Sequence, residues 1–177
     1  ENIKSIRLLS REQLCQKFGD IFLHNYIMVT YHPVTLEKHT AGIQFQKLLN
    51  VVENHPEYHY IFTYANADTD GAIINKMIES YTQEHKNTKA FVSMGQLGYL
   101  SALQYCSAVL GNSSSGIIEA PSFHIPTINI GDRQKGRVRA KTVIDCGYET
   151  RDIEQALTES QNQKFKDLCQ ESTNPYE

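Results

Sequence analysis

The 177-residue chain has no apolar run approaching the roughly 18 to 20 residues that a membrane-spanning helix needs. Its opening residues, Glu1-Asn2-Ile3-Lys4, do not read as a secretory leader. A soluble, cytoplasmic protein with no membrane partner is therefore expected. Charge of one sign is also lacking: the formal net charge is -3, and the 17 lysines and arginines are dispersed along the chain. Without a basic field, nucleic acid is not an expected partner. The four cysteines, Cys15, Cys106, Cys146 and Cys169, have no CxxC spacing, which argues for free thiols in a reducing compartment and against a zinc site. None of the seven histidines falls in an HExxH pattern. No metal and no cofactor are expected.

What is present suits one globular domain with a single sizeable core: 40% of residues are hydrophobic and 21% charged. Short apolar runs alternate with helical periodicity. Strands are expected over 26–31, 58–64, 90–92, 108–110, 126–130 and 142–145. Helices are expected from Arg11, capped by Ser10, and over 38–54, 70–85, 97–105, 117–123, 152–157 and 164–169. Strands that are apolar on both faces and separated by helices indicate a parallel sheet wrapped on both sides. The expectation is an α/β, Rossmann-like layer sandwich with its ligand site at the carboxyl ends of the strands.

The run GNSSSGIIEAP, Gly111 to Pro121, is the most informative segment. It follows the strand Ala108-Val109-Leu110 and precedes Ile117-Ile118-Glu119, read as the first turn of a helix. Free backbone N–H groups and a helix N-terminus before Ser113, Ser114, Ser115 and Gly116 would attract an anion such as phosphate. The serine hydroxyls add donors, and Glu119 could accept from ribose hydroxyls. Serines before a helix are also ordinary N-caps, and a glutamate shortly after often completes a capping box. Both readings stand on this segment alone.

Two further clusters fall at strand ends. His32, in Tyr31-His32-Pro33, is held on a turn by the proline and could donate to a phosphate oxygen or protonate a leaving group, or equally bond to backbone. GDRQKGR, Gly131 to Arg137, with Arg139 following, offers three guanidinium groups suited to phosphate, Arg133 foremost, although such runs are commonly solvated loops. The loop from Thr63 to Gly71 ends in Asp70, read as a cap for the next helix, and the loop Ser93 to Leu97 could touch a base through its backbone.

Together, TYHPVTLE at 30–37, ANADTDG at 65–71, the stretch from Gly111 to Arg137 and the late NPYE resemble the UDP-N-acetylglucosamine 2-epimerase family, in particular its hydrolysing branch. The resemblance implies the C-terminal, nucleotide-binding half of a glycosyltransferase-B-type two-domain enzyme. It implies a linker and leading helix over 1–18, a nucleotide-binding domain over 19–177, and an absent N-terminal catalytic half and final helix. It also implies UDP-N-acetylglucosamine and UDP as partners, with Ser113 and Ser114 on the diphosphate, Glu119 on the ribose, Arg133 near the phosphates and His32 as the catalytic histidine. The implied reaction eliminates UDP to give 2-acetamidoglucal and then adds water to yield N-acetylmannosamine. HPVT after the first strand, where non-hydrolysing relatives carry an HRRE-like motif, favours hydrolysis. A non-hydrolysing epimerase, a hydrolysing enzyme for a GDP-linked or modified amino sugar, and a non-catalytic nucleotide-sugar-binding module are the alternatives. A homo-oligomer could form through the absent half.

Overall fold

Five consecutive apolar or β-branched residues form strand β1 (Tyr26–Thr30), buried along its whole length. Because successive strand residues point to opposite faces, Tyr26 and Met28 enter one core cluster, and Ile27 and Val29 the other. In the computed structural model, which describes residues 3–34, 40–66 and 69–177, five more strands flank it: β2 (His59–Thr63), β3 (Thr88–Phe91), β4 (Ala108–Gly111), β5 (Thr127–Ile130) and β6 (Val143–Cys146). All neighbouring pairs are parallel, in the order β3-β2-β1-β4-β5-β6.

Parallel neighbours cannot be joined by tight hairpins, so crossovers are required. The helices are α1 (Arg11–Phe18), α2 (Ala41–Asn54), α3 (Thr69–Glu84), α4 (Gly95–Leu103), α5 (Ser115–Ile118), α6 (Thr150–Ser160) and α7 (Gln163–Glu171). On one face Phe45, Leu48 and Val52 of α2, Ile74 and Ile78 of α3, and Ile153 and Leu157 of α6 pack against Val29, Phe62 and Leu110. On the other, Leu14 of α1 and Leu100 and Leu103 of α4 meet Tyr26, Met28 and Val109. The expected α/β layer sandwich is thus the architecture found, with strands at all six expected places.

The leading segment shares that core. Ser10 and Gln13 form a reciprocal capping box at the start of α1, as the serine suggested. Leu9 N–H donates to Ser101 Oγ of α4 at 2.8 Å. Arg11 reaches the carbonyls of Phe22 and His24, each at 2.7 Å.

Three local expectations are corrected. The helix read over 117–123 is instead one α turn, Ser115–Ile118, followed by a 3-10 turn, Ala120–Phe123. Pro121 has no N–H for the carbonyl of Ile117 and its ring crowds that oxygen, so the α pattern stops there. His124, at φ 58, ends the segment in the left-handed region. Asp70 lies inside the first turn of α3 rather than ahead of it. The edge strand β6 is only half-buried, with Asp145 exposed, so it is not apolar on both faces. Residues 35–37 of the TYHPVTLE motif, the start of the helix expected from Lys38, and Ala67-Asp68 of the ANADTDG motif lie outside the described residues.

Candidate functional site

The direction of winding reverses between β1 and β4. The chain leaves β1 to build β2 and β3 on one side, then returns to β4 on the other. At such a switch point the loops diverge and leave a crevice at the carboxyl ends of the strands. His32 follows β1 and the serine loop follows β4, so both flank this crevice.

The two strand ends approach closely because Gly111 has no side chain. Its φ is +144, and a Cβ there would lie 1.9 Å from the carbonyl oxygen of Thr30. The next residue, Asn112, is fully buried. Its Oδ1 accepts from His32 N–H at 2.7 Å and its Nδ2 donates to the His32 carbonyl at 2.8 Å. Its backbone carbonyl accepts from Arg133 Nη1 at 3.2 Å and Gln134 Nε2 at 3.0 Å. One asparagine therefore ties the loops after β1, β4 and β5 together. Sequence reasoning passed over both Asn112 and the buried Gln134, because nothing in the local pattern distinguishes an amide that clamps a neighbouring loop from one that is solvated.

The serine loop presents donors. The backbone N–H groups of Ser113 and Ser114 have no hydrogen bond among the described residues. Ser113 and Ser114 are half-buried, whereas Ser115 and Gly116 are buried. Gly116 lies against β5, where a Cβ would meet Thr127 Cγ2 at 2.6 Å, and its carbonyl accepts from Thr127 Oγ1 at 2.9 Å. With α5 only four residues long, few peptide dipoles add up. The donors this turn offers are therefore the free N–H groups and hydroxyls.

Glu119 stands on the other side of this turn. It lines a cleft of about 480 Å³ together with Gln96, Tyr99, Leu100 and Ile118. Its Oε2 is buried without a hydrogen-bond partner among the described residues. Burial, partly offset by its own backbone N–H, holds its carboxyl above the usual carboxylate range. A buried acceptor lacking a donor is matched by a ligand that supplies hydroxyls. Gln96, inside the stretch Ser93–Leu97 expected as a loop that could touch a base, lies instead in the first turn of α4.

The cations divide into two roles. Arg139 is taken up within the loop: its Nε pairs with Asp145 at 2.7 Å, and its Nη1 donates to the carbonyls of Gln134 and Arg137. Arg133 is exposed at the crevice mouth, where partial burial and the like charge of Arg137 lower its pKa. Tyr31, beside His32, turns into the core and donates to Gln44 Oε1 at 2.8 Å. All four cysteines are free, and burial raises each thiol, Cys146 to about 12 and Cys169 to about 11. Burial thus disfavours the thiolate at every cysteine.

The arrangement thus brings His32, Ser113, Ser114 and Arg133 around one crevice, with Glu119 in the adjoining cleft. Comparison with known proteins identifies the family. The family model described as UDP-N-acetylglucosamine 2-epimerase matches residues 3–177. The chain is 39% identical to the polysialic acid biosynthesis protein P7 of Escherichia coli over 99% of its own length and 45% of that protein's. It is 37% identical to the GDP/UDP-N,N'-diacetylbacillosamine 2-epimerase (hydrolyzing) of Campylobacter jejuni, over 93% of this chain and 42% of the relative. The chain therefore spans less than half the length of the curated relatives it matches. Among solved structures, the UDP-GlcNAc 2-epimerase of Neisseria meningitidis bound to UDP-GlcNAc superposes with a TM-score of 0.76 at 19% identity, over 94% of this chain and 45% of that one. The Escherichia coli ADP-heptose lps heptosyltransferase II superposes at 0.61 and 11% identity, over 90% of this chain and 54% of that one, a likeness of fold. On the family match across nearly its entire length, this chain belongs to the UDP-N-acetylglucosamine 2-epimerase family.

Proposed function

We propose that the chain is the nucleotide-binding half of a hydrolysing UDP-N-acetylglucosamine 2-epimerase, a cytoplasmic enzyme releasing UDP and N-acetylmannosamine. The observation that carries this reading is the convergence of three strand-end loops on one crevice through Asn112. Ser113 and Ser114 hold the diphosphate with their N–H groups and hydroxyls, while Ser115 and Gly116 shape the turn. Glu119 accepts from the ribose hydroxyls, and Arg133 neutralises phosphate charge. His32, on the β1 side of the crevice, assists departure of UDP as a donor to the leaving diphosphate. The groups that move the proton at sugar C2 belong to the other half of the enzyme, so this chain alone is expected to bind UDP without turnover. A homo-oligomer would form through that other half.

Proton NMR of the full-length protein with UDP-N-acetylglucosamine tests the reading. Release of UDP together with N-acetylmannosamine is expected; UDP-N-acetylmannosamine as the product would instead indicate a non-hydrolysing epimerase. A second reading is favoured by the relative described as a diacetylbacillosamine epimerase: the same chemistry on a modified 4-amino-4,6-dideoxy sugar carried by UDP or GDP. Turnover of that nucleotide sugar, with none of UDP-N-acetylglucosamine, would select it.

A further inference from the structure

A chain of hydroxyl groups runs from the sheet into the serine loop. Ser115 Oγ donates to Ser113 Oγ at 3.2 Å, and Ser115 N–H points at the same oxygen at 3.3 Å. A serine hydroxyl has two lone pairs and one proton. With both lone pairs engaged, Ser113 keeps its proton for a partner outside the loop. Ser115 has committed its only hydroxyl proton to Ser113, so it accepts from Tyr99 OH at 2.6 Å. Behind Tyr99, the Thr30 hydroxyl stands within reach of the phenol and is itself bonded to the Thr63 hydroxyl at the end of β2. The proton direction set at Ser113 thus fixes the direction of the Tyr99–Ser115 bond behind it.

We infer that Tyr99 is a positioning residue for the anion site: by donating to Ser115 it holds the Ser113 proton outward as a preset donor to a diphosphate oxygen. The inference rests on the nucleotide-binding reading above. A free serine rotor must be ordered when an anion arrives, whereas one fixed in advance contributes its hydrogen bond without that loss. Burial raises the phenol pKa even against the neighbouring hydroxyls of Ser115 and Thr30, so Tyr99 keeps the proton it donates.

Tyr99→Phe in the full-length protein removes one oxygen and leaves the ring in the cleft wall. Ligand-observed NMR titrations with UDP and with uridine separate the phosphate contact from the rest of the site. UDP affinity is expected to fall roughly three- to tenfold with uridine affinity unchanged, the scale of one oriented hydrogen bond. Ser113→Ala should then weaken UDP binding less in the Tyr99→Phe background than alone, because both substitutions act on one donor. Ser115→Ala cuts the same chain one link further on and should give the same split, which covers a Tyr99→Phe protein that folds poorly. Equal losses for UDP and uridine, no loss for either, or full additivity with Ser113→Ala overturns the inference while leaving nucleotide binding intact. Failure of the unsubstituted protein to bind UDP overturns both.

Discussion

At the scale of single residues, Glu119 combines its proposed contact with the ribose and a penalty on folding. Its carboxyl is held above the usual range because burial disfavours the charged form, and Oε2 finds no donor among the described residues. The native state therefore binds the proton more tightly than the unfolded chain does. Stability is lost as pH rises from the unfolded carboxyl's range through the raised folded value. Glu119→Gln removes that loss, so the ligand-free variant is expected to melt at a higher temperature than the parent at neutral pH, with the advantage vanishing in acid. The same substitution should weaken UDP binding by about 1 to 3 kcal/mol, since a charged acceptor is lost. Calorimetric scans at two pH values and a UDP titration check both arms; a variant that binds UDP as well as the parent removes Glu119 from the ribose contact. His32 behaves differently, because its backbone is clamped by Asn112 whatever its ring does. In the complete enzyme His32→Ala should lower kcat far more than it weakens UDP binding, and equal losses in steady-state kinetics and titration would make it a binding residue only.

At the scale of elements, the junction of β1 and β4 depends on Gly111 and Asn112. Gly111→Ala would place a methyl group on the Thr30 carbonyl at a φ that L residues avoid, so a loss of at least about 2 kcal/mol in urea unfolding is expected. A melt within error of the parent would show that the strand ends can part without penalty. Much of this layer was legible in the sequence. The apolar run 26–31 reads as a buried strand, and Ser10 announces α1. The placing of His32 and the serines at strand ends followed from the alternation alone. Pro121 was visible too, yet its consequence for the motif helix was missed: apolar spacing around Ile117 outweighed the lost N–H. The clamps were not legible, because Asn112 bonds a residue 80 positions away and Arg139 chooses Asp145 over the crevice. Such choices are made by tertiary geometry, and a local sequence window holds no record of them.

At the scale of the whole molecule, the six-stranded sheet is covered on both faces by helices that this chain supplies, including α1. A domain with its own core of this kind folds as a unit, so the chain can be studied apart from the full-length protein. The candidate contacts it carries reach the diphosphate and the ribose: the free N–H groups after β4, Arg133 after β5, and Glu119 in the cleft. None of them is assigned to the hexosamine, whose pocket the proposed function leaves to the other half. Isothermal titration of the isolated 177-residue chain is therefore expected to give affinities for UDP and UDP-N-acetylglucosamine within about twofold of each other, since attaching the sugar adds no contact worth more than a few tenths of a kcal/mol. The full-length protein should discriminate between them, because the sugar contacts proposed for the other half are ones that UDP alone cannot use. A chain that by itself prefers the nucleotide sugar tenfold would place part of the hexosamine pocket in this half, with His32 and the open side of the crevice as the first residues to substitute.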